Sequence, residues 1–383
     1  MGIMQKQFAD LITFTRAGAG GYWNWQGVYT MAAANERRID HDPASVSLST
    51  ATVTLGAGQH TFTTTHAYQI GEWLRASADA NNWMVGRVVA AGEGSVTIEV
   101  AAARVRGSGT YSSWTLIVRL GLLIEEQRTR LNTISAAPSA AQSVAVSAVA
   151  HTISFYGAGS VVLSGAHVAS LTGAGAYPAR REVTFTPTAG TLTITPTGDV
   201  RMLQLEAGAF ATSAIVGEGA QVTRAADVAS VNVLSPWLNA SEGTLFVEVV
   251  PGQTTTANWA AALSNSATGL NDLIDLGWNW TSGTSRPTRG RVLTGGVTQT
   301  EQQIANTVAS GQPIKMAIAY AANSVQTAAR GVASAEDPSA VIPVVDRLQI
   351  GRVGAYGYSP GHIRSIRYYP KRLSNTEIQA LTA

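Results

Sequence analysis

Apolar and polar residues alternate with a period of two along much of the chain, and helical periodicity is scarce. Glycine-containing turns separate the alternating segments at short intervals, which is typical of β-sandwiches and β-barrels. The pattern therefore predicts an all-β fold. The clearest alternating segments are TVTL (52–55), SVTIEV (95–100), TISFYGAGSVVLSG (152–165), TLFVEVV (244–250) and DRLQIGRV (346–353).

One pair of predicted strands flanks the sequence PTAG (187–190). Val183 and Phe185 alternate with polar residues before it, and Leu192 and Ile194 resume the alternation after it. Two alternating runs joined by a short glycine-containing loop predict a β-hairpin.

Two segments are predicted to be helical. QQIANTVASG (302–311) has the length of one short helix. In the C-terminal sequence SNTEIQALTA, Ser374 can cap the first turn, and Glu377, three residues later, completes a capping box. Ile378 and Leu381 then share one face, so this helix is expected to pack on a sheet.

Composition and charge restrict the classes of function. Lys+Arg 26 against Asp+Glu 24 gives a net charge of +2, which is too small a field to gather nucleic acid. Cys 0 excludes disulfides, thiolate metal sites and a cysteine nucleophile. No apolar run of about 18 residues occurs, so no membrane-spanning helix is expected. Asp10 interrupts the first apolar run, so we expect no signal peptide and synthesis in the cytoplasm.

Three groups of sequence motifs resemble those of one known family. The first group is FTRAGAGGYWNWQGV (14–28), AANERRIDHDP (33–43) and GLLIEEQRTRLNT (121–133). The second is TVTLGAGQHTFTTT (52–65), NNWMVGRV (81–88) and GSGTYSSWTL (107–116), which interrupts the first. The third is SFYGAGSVVLSGA (154–166), FTPTAGTLTITPTGDV (185–200) and QLEAGAFATSAIVGEGAQVTRAADV (204–228). The family is that of bacteriophage and prophage virion proteins of the head-spike and tail-fibre type.

The resemblance implies a multidomain all-β organisation. Residues 1–48 would be an N-terminal attachment segment that continues at 119–133, interrupted by a module at 49–118 similar to the phage head spike fibre domain. Residues 134–236 would form a central, jelly-roll-like β-sandwich. Residues 237–383, which end in IRSIRYYPKRLSNTEIQALTA, resemble a concanavalin A-like lectin domain with a short C-terminal helix. One departure is Arg130, which stands where the family usually has asparagine.

No catalytic site is predicted, and we expect the protein not to be an enzyme. Glu206, Glu218, Arg224 and Asp227 lie close together in sequence, but nothing aims two of these carboxylates at one bond. GYSPG matches the G-x-S-x-G pattern of serine hydrolases, yet the residue after its serine must donate a backbone N–H, and Pro360 has none.

Metal-binding signals are equally sparse. The consecutive residues Asp40, His41 and Asp42 are interpreted either as a turn or as a cation site. No Gly-rich phosphate loop of standard spacing occurs, and no cofactor is predicted.

Aromatic residues in the last segment are the best candidates for function, because sugars present apolar C–H faces that stack on aromatic rings. Trp278 shares a face with Ile274 and Leu276, which favours the core over a sugar contact for this tryptophan and for Trp280, while a Gly-rich loop favours exposure of the two tyrosines. Arg286, Arg289 and Arg291 suit an acidic polysaccharide or are solvated loop charges. The candidate glycan-binding residues are Tyr356, Tyr358, Trp278, Trp280, Arg286 and Arg289.

The resulting hypothesis is a virion spike or fibre that recognises a host cell-surface polysaccharide. Its expected partners are this glycan, other virion proteins and further copies of itself, without nucleic acid or membrane insertion. Two alternatives stay open: a purely structural decoration or connector protein, and a capsule-polysaccharide depolymerase.

Overall fold

The structure is a computed structural model that describes residues 12–252, 258–278, 286–354 and 358–383. Strands account for 54% of the described residues and helices for 3%, which confirms the predicted all-β class. The first strands are β1 (Thr13–Thr15), β2 (Gly20–Trp23), β3 (Tyr29–Ala32), β4 (Ile39–His41), β5 (Ser47–Ser49), β6 (Val53–Thr54), β7 (Gly58–Thr63), β8 (Trp73–Ser77), β9 (Trp83–Gly92), β10 (Ser95–Arg106), β11 (Thr110–Tyr111), β12 (Trp114–Ile124) and β13 (Arg128–Arg130).

The middle and last parts of the chain continue this pattern. They contain β14 (Gln142–Val146), β15 (His151–Tyr156), β16 (Ser160–Gly165), β17 (Ala169–Thr172), β18 (Arg180–Phe185), β19 (Gly190–Thr197), β20 (Arg201–Ala207), β21 (Val222–Arg224), β22 (Val228–Val231), β23 (Glu242–Pro251), β24 (Asn258–Asn265), β25 (Gly269–Trp278), β26 (Thr288–Thr294), β27 (Val297–Ile304), β28 (Ile314–Ala321), β29 (Ser324–Ala329), β30 (Val332–Ala333), β31 (Arg347–Ile350) and β32 (Gly361–Tyr369). The helical elements are a 3₁₀ turn (Pro43–Ser45) and α1 (Asn375–Thr382).

The described residues form two compact units. The central unit consists of Arg16–Arg119 and Gln127–Ala226. The C-terminal unit consists of the described part of Met1–Thr15 together with Leu120–Glu126 and Asp227–Ala383. The four sequence segments proposed above stay a prediction.

The central unit contains a β-sandwich between residues 142 and 207. One sheet has the order β14-β19-β16-β17 and the other β18-β15-β20. Inward-facing apolar side chains of both sheets form one buried cluster because alternate residues of each strand point into it. The largest contributors are Val161, Leu163, Leu192 and Ile194 from the first sheet and Ile153, Phe155, Phe185, Leu203 and Leu205 from the second.

The hairpin predicted around PTAG (187–190) is wrong, although both of its strands exist. β18 pairs with β15, whereas β19 pairs with β14 and β16 in the opposite sheet. Phe185 and Leu192 nevertheless reach the same core. The segment 187–190 therefore crosses from one layer of the sandwich to the other.

A further sheet of the central unit lies between residues 47 and 118. Its order is β8-β9-β10-β7, and residues 114–118 of β12 pair with β5 and β8. Alternate residues of these strands point inward and are fully buried. They include Phe62, Leu74, Met84, Ile98 and Leu116.

The C-terminal unit is a sandwich of two antiparallel sheets. The first is seven-stranded, in the order β1-β22-β31-β24-β25-β26-β27. The second runs β30-β29-β28-β23-β32, with residues 122–124 of β12 beside β32. Gln302 Nε2 on β27 donates to the carbonyl of Val325 on β29 over 3.0 Å. Gly290 faces Thr327 so closely that a Cβ would lie 2.0 Å from its Oγ1, so glycine is required there.

The C-terminal helix is present as predicted. Ser374 caps α1, and its hydroxyl and the carboxylate of Glu377 form a capping box. Ile378 is fully buried against the second sheet, and Leu381 is partly buried there. The helix therefore covers the face of that sheet that is opposite the sandwich core.

The helix predicted for 302–311 is wrong. Gln302 and Ile304 belong to β27, in which alternate residues are buried. Their spacing of two places both side chains against the facing sheet, and this packing overrides the weak local helical signal.

Candidate functional site

The outward face of the seven-stranded sheet carries a group of polar and aromatic side chains. Ile274, Leu276 and Trp278 of β25 point into the core, so Asp275 and Gly277 between them point outward. Asp275 is opposite Arg291 in the register, and Gly277 is opposite Arg289. These residues and Trp259 form what we call the outer site.

A β-bulge directs Trp259 outward. Trp259 is opposite Gly277, whereas Ala261 is opposite Leu276, so the register shifts between them. Strict alternation would place Trp259 on the same face as Ala261 and Leu263, inside the core. The extra residue reverses its direction, as bulges commonly do.

Asp275 is fully buried and holds both arginines of the outer site. Its Oδ1 accepts from Arg289 Nη2 over 3.0 Å, and its Oδ2 accepts from Arg291 Nε over 3.0 Å and Nη2 over 2.9 Å. Arg289 Cζ lies 5.3 Å from the centre of the Trp259 ring, in cation–π contact. The side chain of Arg291 is 18% exposed, so its guanidinium can reach a ligand, whereas that of Arg289 is only 6% exposed.

A second group of side chains borders the outer site on β31 and the segment after it. Gln349 accepts from Ser264 Oγ over 3.1 Å and from Gly354 N over 3.3 Å. Arg352 donates to the hydroxyl of Tyr358 and lies 5.2 Å from its ring centre. Tyr358 is partly exposed.

The structure places the predicted glycan-binding residues in different environments. Trp278 is 0% exposed, in the core, so it cannot stack on a sugar. Its inclusion among the candidate glycan-binding residues was therefore wrong. Arg289 is not a solvated charge, since Asp275 binds it. Arg286 forms a bridge with Thr307 at the start of β26 and is partly exposed. Trp280 and Tyr356 lie outside the described residues.

Trp259 and Asp275 are not among the residues predicted from the sequence to form a site, whereas Arg291 is one of the three arginines interpreted as suited to an acidic polysaccharide. An apolar-polar pattern assigns Trp259 to the core, and only the bulge at Ala260 exposes it. Asp275 could have drawn attention, because a single carboxylate within a run of buried apolar residues requires a charged partner.

The charged residues of 204–228 have separate structural roles. Glu206 is fully buried in the central unit and accepts from Thr212 N over 2.9 Å and Thr212 Oγ1 over 2.5 Å. Glu218 accepts from Ala136 N over 2.9 Å. Asp227, in the C-terminal unit, accepts from Glu125 N over 2.9 Å. These three carboxylates therefore have structural roles within the fold.

The segment Asp40, His41 and Asp42 forms a strand end and a cap. Asp40 accepts from Trp23 N over 2.7 Å, and Asp42 caps the 3₁₀ turn by accepting from Ala44 N over 3.0 Å. No group of three or more His, Cys, Asp and Glu residues that could hold a metal ion occurs in the described parts of the chain.

His41 is expected to make the stability of the central unit depend on pH. Burial is the main cause that lowers its pKa to about 4, and the charges of Arg75 and Arg119 add to this effect. Unfolding restores an ordinary pKa near 6.5, so between pH 6.5 and 4 the unfolded state binds more protons. Stability should therefore fall with falling pH over this window, by at most about 1.4 kcal/mol per pH unit.

Urea unfolding monitored at several pH values measures this slope. The variant His41→Gln, which cannot titrate, should have a flatter profile between pH 6.5 and 4. The variant His60→Gln removes a partly exposed histidine instead and provides the control. Equal slopes for His41→Gln and the parent would contradict the assignment.

No described helix has the length and apolar character needed to cross a membrane. No protein-family model matches the chain. No curated protein matches it either.

Several solved structures are similar to parts of the chain. A heptameric SAP-like pentraxin from Limulus polyphemus is 9% identical, with a TM-score of 0.32, over 38% of this chain and 70% of that chain. The carbohydrate-binding module CBM40 of the Ruminococcus gnavus IT-sialidase is 17% identical, with a TM-score of 0.30, over 38% and 84%. Domain 4 of AbnA, an arabinanase from Geobacillus stearothermophilus determined with arabinotriose, is 13% identical, with a TM-score of 0.33, over 44% and 79%. At these scores the likenesses assign neither a function nor a site to the chain.

Proposed function

We propose that the chain binds a carbohydrate through the outer site of the C-terminal unit, as a spike or fibre of a bacteriophage-type virion. The observation that carries the proposal for binding is the partly exposed Trp259, oriented by a bulge and placed beside two arginines that a buried carboxylate fixes. An aromatic plane beside fixed hydrogen-bond donors is what the C–H face and hydroxyl groups of a sugar require.

Each residue of the outer site has a distinct role in this proposal. Trp259 provides the stacking surface, and Arg291 donates to sugar hydroxyls. Glu301 and Gln303 on β27 are exposed opposite Arg291 and Arg289 in the register and can accept or donate further hydrogen bonds. Arg289 is a positioning residue, because it contacts the Trp259 ring from within the site.

The charges in and around the outer site nearly cancel, which favours a neutral sugar. Arg289, Arg291 and the bordering Arg352 carry three positive charges, and Asp275 and the nearby Glu301 carry two negative charges. Interactions with hydroxyl groups, and not a net electric field, should therefore dominate, and binding should respond weakly to salt.

The variant Trp259→Ala tests the proposed binding surface. Removing a central aromatic contact typically costs about 2 kcal/mol or more, so affinity for a bound neutral glycan should fall by at least about 30-fold. Binding is measured by isothermal titration against neutral oligosaccharides selected from a glycan array.

Two further variants complete this test. Trp259→Phe retains an aromatic plane and should keep most of the affinity. Val297→Ala, at an exposed position in the turn region of the same sheet, should bind as the parent protein does. Equal affinity of Trp259→Ala and the parent would refute this surface.

The proposed virion role is supported by the sequence motifs that resemble phage head-spike and tail-fibre proteins. The proposal includes synthesis in the bacterial cytoplasm, assembly as a homo-oligomer with other virion proteins, and avidity from repeated weak sugar contacts. Mass spectrometry of purified particles from the producing bacterium should detect the chain in stoichiometric amount. Its absence from the particles would refute the virion role while leaving sugar binding untouched.

The alternatives give different results in one assay that follows binding and new reducing ends together. Binding without new ends supports recognition. New reducing ends identify a depolymerase, although both oxygens of Asp275 already accept from arginines, which disfavours it as a catalytic group. The absence of binding to any glycan favours a connector protein.

A further inference from the structure

A separate face of the central unit concentrates arginine and tryptophan side chains. Leu74, Met84 and Leu116 point into the core beneath this sheet, so the residues that alternate with them on β8, β9 and β12 lie on its other face, where Val85 and Ile117 are buried and the arginines are partly exposed. We call this second face of the sheet the basic face. Its residues are Trp73, Arg75, Trp83, Arg87 and Arg119, with Trp25 and Arg104 beside them.

The guanidinium groups of the basic face lie against indole rings. Arg75 Cζ is 4.5 Å from the centre of the Trp83 ring and 5.4 Å from that of Trp25. Arg104 Cζ is 3.9 Å from the Trp73 ring centre. These ring contacts restrict the orientation of the guanidinium groups, and a guanidinium group matches an oxyanion in geometry.

Arg75 and Arg119 lie mainly among other positive charges. Burial lowers the pKa of Arg75 to about 10, and repulsion from Arg119 and Arg106 contributes in the same direction. Burial likewise lowers the pKa of Arg119 to about 10, with repulsion from Arg104. Both side chains are partly exposed and stay charged at neutral pH.

Three carboxylates of the described residues neighbour the basic face in sequence or in strand register. Glu99 is exposed opposite Arg87 in the register. Glu72 accepts from Gln69 N over 2.8 Å, and Asp40 accepts from Trp23 N over 2.7 Å. Arg75 itself donates through Nε to the neutral hydroxyl of Ser77 over 2.8 Å.

We propose that the basic face binds the carboxylate, sulfate or phosphate groups of an acidic polysaccharide. Partly buried positive charges that repel one another are stabilised by a bound anion, and the side chains of Arg75 and Arg119 are both partly exposed. This site is separate from the outer site, which carries little net charge and is proposed to take a neutral sugar.

The ring geometry favours a polysaccharide over single-stranded nucleic acid. Nucleic-acid sites stack bases on open aromatic planes. Trp73 is only 7% exposed, and Arg75 already contacts both Trp83 and Trp25. The basic face therefore offers hydrogen-bond donors to anions and little free ring surface to bases.

The test compares the full chain with the variant Arg75→Gln/Arg119→Gln. The probes are polygalacturonate, dextran sulfate, neutral dextran and single-stranded oligothymidylate, and binding is measured by affinity electrophoresis at low salt. We expect the variant to bind the two acidic polysaccharides at least 10-fold more weakly, about 1.4 kcal/mol. The control Arg181→Gln/Arg201→Gln removes the same charge from exposed positions of the central sandwich and should bind as the parent does.

Each outcome decides the proposal. Equal loss in both double variants would mean that only net charge matters and would overturn it. Tighter binding of oligothymidylate than of polygalacturonate would assign the face to nucleic acid and would also overturn the proposal.

If the Arg75→Gln/Arg119→Gln variant fails to fold, the thermal unfolding of the unmodified protein is measured with each probe. Stabilisation by acidic but not neutral dextran then supports the site. Loss of neutral-glycan binding in Trp259→Ala bears only on the outer site.

Discussion

Replacing Asp275 with asparagine should lower the free energy of unfolding of the C-terminal unit by about 3 to 5 kcal/mol. The carboxylate is fully buried and accepts three hydrogen bonds from two guanidinium groups. Asparagine keeps the size of the side chain but removes its charge. Arg289, whose side chain is 6% exposed, would then be a buried cation without its counter-charge.

Hydrogen exchange of peptides that cover β25 measures this change locally, which is necessary in a chain with two units. The control is Asp272→Asn, on the same strand, where the carboxylate accepts from Gly295 N over 2.8 Å near the surface. Protection of β25 should fall sharply in Asp275→Asn and little in Asp272→Asn. Equal protection in the two variants would show that the buried ion pair contributes little.

The same substitution should also weaken sugar binding if the outer site acts as proposed. Without Asp275, nothing fixes Arg289 against Trp259 or aligns Arg291 with the sheet. Affinity for the neutral glycan should therefore fall even in the fraction of molecules that stays folded. A folded Asp275→Asn protein with full affinity would separate stability from function at this position.

Replacing Arg130 with methionine should lower the free energy of unfolding of the central unit by about 3 kcal/mol. Arg130 is fully buried, and it donates to the carbonyls of Gly217 over 2.6 Å, Ala220 over 2.7 Å, Ile215 over 3.2 Å and Thr133 over 3.3 Å. Methionine fills much of the same volume but donates no hydrogen bond. The segment 215–220 would lose the side chain that organises its backbone.

Urea unfolding with hydrogen exchange of segment 215–224 provides the measurement. Arg201→Met is the matched control, because Arg201 is half exposed and forms a surface ion pair with Asp199, and such pairs contribute about 0 to 1 kcal/mol. Arg130→Lys should fall between the parent and Arg130→Met, since a lysine keeps the charge but cannot reach four carbonyls. Retention of full protection in Arg130→Met would refute this role.

Features that depend only on residues close together in the sequence could be predicted. Ser374 and Glu377 identified the start of α1, because a capping box is a local arrangement of two side chains and two backbone amides. Alternation also identified β18 and β19 and the side chains that enter the core. It could not identify their partners, because a period of two defines the faces of a strand and contains no information about which strand lies beside it.

The outer site depended on an irregularity that alternation cannot predict. A bulge places Trp259 on the solvent side, whereas regular spacing buries Trp278 with Leu276. Likewise, the sequence allows Arg289 to be either a ligand contact or a solvated loop charge. Its actual environment follows from the diagonal contact with Asp275 across β25 and β26, a relation between strands.

The seven-stranded sheet ends, within the described residues, at β1 on one side and β27 on the other. β1 has only three residues, and β27 exposes Thr298, Glu301 and Gln303 along its outer face. A short edge and a hydrophilic, charged edge both discourage the addition of strands from neighbouring molecules. Crowded copies of this sandwich can therefore remain separate folding units instead of fusing into aggregates through their sheets.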